Sequence, residues 1–154
     1  MVEQSSSQRR SDSVWPTVVL FGGIALVLLW TLSSQSARTT EPKVFFQEPS
    51  DGATVPTTFI IKMGVEGLTI EPAGEVHEGA GHFHILVDVP LVEPGQVIPV
   101  NVPELGYLHF GKGQLETELT LEPGEHILRL QFADGAHIAL EGDQYWDEIR
   151  IIVQ

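Results

Sequence analysis

The sequence has no cysteine, and no serine occurs after Ser50. The first absence excludes a disulfide framework, a thiolate metal site and a thiol nucleophile. The second excludes serine-based hydrolysis in the body of the chain, because that chemistry needs a Ser on a strained elbow beside a base. Positive charge is also scarce: 8 Lys and Arg stand against 21 Asp and Glu, a formal net charge of -13. Up to Ala37, Arg9 and Arg10 balance Glu3 and Asp12, so the excess acid all lies further on. An acidic domain repels phosphate backbones, which are bound through Lys and Arg by counterion release; nucleic acid is therefore not an expected partner.

The N-terminal region carries one long uncharged apolar run, VWPTVVLFGGIALVLLWTL from Val14 to Leu32. As a helix it would extend roughly 28 Å, enough to cross a bilayer. Trp15 and Trp30 stand near its ends, where amphipathic rings favour the headgroup level, and Pro16 falls in the first turn, where no hydrogen bond is lost. Arg9 and Arg10 before it favour a cytoplasmic N-terminus. A cleaved signal peptide is the competing reading, but the run exceeds a usual h-region and SSQSA offers only a weak cleavage site. The expected organisation is a cytoplasmic tail over 1–13, a transmembrane helix over 14–32 in contact with membrane lipid, a polar linker over 33–42 and one domain over 43–154. The chain is thus expected at the cell membrane, single-pass, with its C-terminal domain extracytoplasmic.

Beyond Lys43, short apolar runs alternate with Pro/Gly turns, as in all-β domains. The pattern predicts strands at Lys43–Gln47, Thr58–Val65, His82–Val89, Gln96–Val100, Tyr107–Phe110, Leu115–Leu121, His126–Phe132, His137–Leu140 and Asp147–Val153, with no helix of useful length. Period-two faces such as Phe59, Ile61, Met63 and Val65, or Leu128, Leu130 and Phe132, fit two packed antiparallel sheets: an immunoglobulin-like sandwich. In LTLEPGEHILRL, Pro123 and Gly124 suit the centre of a type II turn, predicting a hairpin between the flanking strands.

Alternation also sorts the histidines. With Phe83, Ile85 and Val87 on the core face, His82 and His84 share the other face, about 7 Å apart at Cα. Two imidazoles at that distance can reach one cation, and neutral imidazole is a common ligand for zinc or copper. Two ligands do not make a site, and the same pair could hydrogen-bond to backbone or face water; His109 or His137 would have to join them. His126, in register with Leu128 and Leu130, reads as a hydrogen-bonded histidine at a core edge, and His77 as a solvated loop residue.

Four segments, EPAGEVHEGAGHFHILVD, HFGKGQLE, PGEHILRL and DGAH, occur in that order. As a set they resemble an uncharacterised family of bacterial exported or membrane-anchored domains of unknown function, with Ile85 and Leu115 standing where Leu and Thr are usual. The resemblance implies an immunoglobulin-like sandwich in an exported location and no established activity. A fainter similarity links EPSDGATV and DGAH to small copper-resistance sandwiches. The expected function is a binding or accessory module, such as a subunit of a membrane complex, rather than an enzyme; the alternative is a Cu(II)- or Zn(II)-binding domain using the strand histidines.

Overall fold

The structure, a computed structural model, describes residues 40–100 and 102–154; the expected tail, transmembrane helix and most of the linker lie outside them. Among the described residues no helix is long and apolar enough to cross a membrane. They are all-β: β1 Lys43–Glu48, β2 Thr54–Val55, β3 Thr58–Glu66, β4 Thr69–Ile70, β5 Ala80–Val87, β6 Tyr107–His109, β7 Glu116–Thr120, β8 Gly124–Ala133 and β9 Trp146–Val153, with single 3-10 turns at Pro103–Leu105 and Asp143–Tyr145.

One sheet has the order β1-β3-β7; the other runs β2-β9-β8-β5-β4, with β6 also pairing β5. Alternation drives each inner face into the gap between them. Val44, Phe46, Phe59, Ile61 and Met63 come from the first sheet, and Phe83, Ile85, Leu128, Leu130, Phe132, Ile149 and Ile151 from the second, to form one buried core. Taking β1, β3, β5, β7, β8 and β9 as strands A, B, C, E, F and G reproduces the immunoglobulin division into an A-B-E and a C-F-G sheet. The sandwich is not purely antiparallel, because the short β2 and β4 pair in parallel with β9 and β5.

The expected hairpin is absent. β7 pairs with β3 and β8 with β5 and β9, so Pro123 and Gly124 form a corner between sheets. Gly124 has φ 152°, far from the value of about +80° that a type II turn needs. A Pro-Gly pair specifies that the chain bends; the partner on either side is chosen by burial. Crossing over lets Leu119 and Leu121 pack across the core from Leu128 and Leu130 instead of beside them.

Two further predicted strands, Gln96–Val100 and His137–Leu140, are reduced to isolated bridges, Val97 with Ile138 and Ala139 with Ala133. They belong to a layer of loops laid over the outer face of the larger sheet. Gln131 holds that layer by accepting the Val92 N–H (3.0 Å) and donating to the Val92 carbonyl (2.7 Å), and Arg129 donates to the Val89 carbonyl (2.7 Å). Beneath it, Ile98, Ala133 and Ala139 form a second small core.

Candidate metal centre

β5 carries Phe83 and Ile85 into the main core, which sends His82 and His84 to the opposite face. That face is not open to water: both histidines are 0% exposed. Their cover comes from β6 and from the turn after β8, and each supplies another imidazole. His109 stands directly opposite His84 in the β5–β6 register. His137 is presented by the turn in DGAH, where Asp134 Oδ1 accepts the N–H groups of Ala136 and Ile138 (both 2.9 Å) and the Asp134 carbonyl accepts the His137 N–H (3.0 Å). This bonding holds His137 at φ 68°, a left-handed conformation that residues other than glycine rarely adopt.

The four rings converge. Ring centres are separated by 5.0 Å for His82–His84, 5.1 Å for His82–His109, 4.9 Å for His82–His137, 5.0 Å for His84–His109, 5.8 Å for His84–His137 and 4.8 Å for His109–His137. Nε2 of His82 lies 3.2 Å from Nε2 of His84, and Nε2 of His109 lies 3.2 Å from Nε2 of His137. One nitrogen from each of His82, His84 and His109 falls within 4.8 Å of the others. Where the sequence pointed to His82, His84 and either His109 or His137, the fold gathers all four.

Three of the rings, His82, His84 and His109, are pushed toward the neutral form. Burial pushes His82 down to about 4, helped by the His137 and His109 charges and opposed by Asp134. Burial pushes His84 down to about 2, with His82, His109 and His137 acting in the same direction. His109 is lowered as well, by burial and then by His137. A neutral imidazole keeps a lone pair for a cation. The Nδ1 atoms of His82 and His84 are buried and find no hydrogen-bond partner among the described residues. Apart from the Nε2–Nε2 contact between the two rings, no hydrogen bond from these rings to backbone is present among the described residues, and a buried unpaired polar atom costs about 1–3 kcal/mol.

Several residues that shape the centre carried no metal signal in the sequence. A Cβ on Gly111 would lie 2.2 Å from His109 Nε2, so the His109 ring occupies the space a side chain would need. Ala73 N–H donates to the Gly111 carbonyl (2.9 Å) and Gly74 N–H to the Gly135 carbonyl (2.8 Å). The EPAG, HFGKG and DGAH segments, distant in sequence, thus meet around the imidazoles. The other two histidines stay apart. His77 is in an exposed loop, its Nδ1 donating to Glu71 Oε2 (2.7 Å). His126 is a hydrogen-bonded edge residue, as its register indicated, donating from Nδ1 to Asp88 (2.7 Å) and from Nε2 to the Glu122 carbonyl (2.9 Å).

A family model described as "Domain of unknown function (DUF4399)" matches residues 61–154, a range that includes all four segments of the resemblance. No curated protein matches the chain significantly. Among solved structures, the chain is similar to the fibronectin(III)-like modules of CbhA from Clostridium thermocellum, with 19% identity and a TM-score of 0.41 over 75% of this chain and 47% of that one. The chain thus spans about half the length of that structure.

Proposed function

The chain belongs to the DUF4399 family of domains of unknown function, and we propose that it is a metal-binding module in which His82, His84, His109 and His137 hold one cation of the zinc or copper class. The carrying observation is that all six ring-centre separations lie between 4.8 and 5.8 Å. Four imidazoles bound to one ion at about 2.0–2.1 Å in a tetrahedron would have centres about 5.2 Å apart, whereas a square plane would give about 4.5 Å for neighbours and about 6.4 Å across. The observed spread lies nearer the tetrahedral value than the square-planar pair, with His137 the least closely placed of the four. The Nε2 pairs at 3.2 Å also match a tetrahedral edge, about 3.3–3.4 Å for such bonds. This geometry favours Zn(II), or copper as Cu(I), over the tetragonal preference of Cu(II).

Four protein ligands close the coordination sphere, which suits holding an ion rather than activating water; a hydrolytic or redox enzyme would need an open position. Three separate segments supply the ligands, so a bound ion would tie the outer loop layer to β5. Native mass spectrometry of the full chain with added Zn(II) tests the reading. One equivalent retained by the wild type and none by His84→Ala is the expected result, and equal retention by both would end it.

A second reading concerns placement. The uncharged run from Val14 to Leu32 supports a single-pass anchor with the N-terminus cytoplasmic, presenting the sandwich outside the cytoplasm as an accessory module of a membrane complex. The full chain should remain with membranes through carbonate extraction, and its release into the supernatant would remove the anchor.

A further inference from the structure

Resting on the metal reading, we infer that His137 is the exchangeable ligand of the centre, the position through which a cation passes to or from an incoming imidazole donor. The four ligands are not held alike. His82 and His84 lie on β5, which is paired with β8 along one edge and with β6 along the other, and His109 lies on β6 in register with His84. Moving any of these three means breaking a sheet ladder. His137 is outside every strand. It hangs from a turn maintained by Asp134 and by donation of the Ile98 N–H to its own carbonyl (2.8 Å), with its backbone in the left-handed region.

Position and geometry agree. Five ring-centre separations lie between 4.8 and 5.1 Å, and the outlier at 5.8 Å joins His137 to His84. His82 and His84 are 0% exposed, while His109 and His137 are only half-buried, so the solvent side of the centre is the side these two close, and of the two only His137 lies outside a strand. Without it, His82, His84 and His109 still converge within 4.8 Å, the three-ligand arrangement that leaves a fourth position free. The exchange is a ligand substitution: one nitrogen-metal bond forms as the His137 bond breaks. A neutral imidazole replaces a neutral imidazole, with no change in oxidation state or proton count.

The test uses Co(II), whose visible spectrum reports coordination number, as a substitute for the native ion in the full chain. His137→Gly removes the ligand and places at this φ the residue that tolerates it. The variant is expected to keep Co(II) with affinity weakened by about 100-fold or less, to lose the four-nitrogen tetrahedral spectrum, and to regain it in a saturable way when free imidazole is added. His84→Gln, close in volume and checked for folding by thermal unfolding, should lose Co(II) by more than about 1000-fold and gain nothing from imidazole; His109→Ala, on the half-buried side, repeats the comparison. Loss of binding in His137→Gly as complete as in His84→Gln, or an unchanged spectrum in His137→Gly, overturns the inference while leaving the metal reading in place. Failure of the wild type to bind Co(II) or Zn(II) overturns both.

Discussion

Strand β5 runs between two histidine sites of opposite character. Near its start, His82 and His84 meet His109 and His137, four imidazoles with nitrogen facing nitrogen and the pKa values of His82, His84 and His109 driven down. Just past its end, Asp88 faces His126. Burial disfavours the charge there, but the Asp88 hydrogen bond, the Glu122 carbonyl and the Asp88 charge outweigh it, and the pKa is raised. His126 donates from both nitrogens, so no lone pair remains for a metal. The difference is the carboxylate. A histidine with an acid in contact is favoured as a cation and a structural tie, whereas histidines buried against one another are favoured as neutral rings that keep a lone pair with which a cation could be held.

The largest expected effect comes from metal. With Zn(II) at about a thousandfold excess over its Kd, the folded state should gain about 4 kcal/mol, read as a rise in unfolding temperature. His84→Gln should abolish this gain and His126→Gln should keep it in full. If both variants respond alike, the two sites are not distinct in the way their geometry indicates.

Acid should separate them next. In metal-free protein the unfolded chain takes up protons near pH 6.5, whereas folded His82 resists until about 4 and folded His84 until about 2. Between pH 6.5 and 4 the unfolded state therefore binds more protons, so the cluster's contribution is fully present above 6.5 and is lost as pH falls. Wild type should lose stability over this interval more steeply than His84→Gln, as followed by denaturant titration at each pH. Parallel profiles would mean that the imidazoles are not held neutral by the fold.

A smaller effect is expected at Gly111. Adding one methyl there forces the His109 ring aside, since the Cβ would sit 2.2 Å from Nε2. Gly111→Ala should weaken Zn(II) binding by about 10- to 100-fold, the range seen when a ligand loses its orienting support, while binding one equivalent still. Unchanged affinity would place the His109 ring elsewhere than over Gly111.

How far these sites could be read in advance depended on range. Period two along TFIIKMGV and GHFHILVD correctly assigned the inner faces of β3 and β5, because alternation is a property of a single strand. It likewise placed His82 and His84 together and off the main core. That their face was buried could not be read, because the cover is β6 and the turn after β8, which are brought over β5 by pairing distant in sequence. The convergence of His109 and His137 follows from the β5–β6 register and from the Asx-type turn at Asp134, both set by long-range pairing. The Pro123-Gly124 corner misled for a related reason: turn chemistry is local and sheet membership is not.

The smallest effect tests the other half of the comparison and carries the opposite sign. His126 has a folded-state pKa above its unfolded value, so its pairing with Asp88 stabilises most below about pH 6.5 and is lost as pH rises through the folded value. Asp88 is 47% exposed on its side chain, so screening keeps the ionic part small, at about 0.5–1 kcal/mol. His126→Gln should therefore be less stable than wild type by about that amount at pH 5.5 and should approach it at pH 9, apart from any pH-independent packing difference. Asp88→Asn should show the same narrowing with pH, because it removes the charge while leaving an oxygen to accept the Ile127 N–H now bonded at 2.8 Å. Raising salt should shrink the gap at pH 5.5 in both variants and leave the Zn(II)-dependent gain of the buried cluster nearly unchanged. A gap that widens with pH would mean that His126 is neutral in the folded protein, and the contrast between a paired and an unpaired histidine site along β5 would fail.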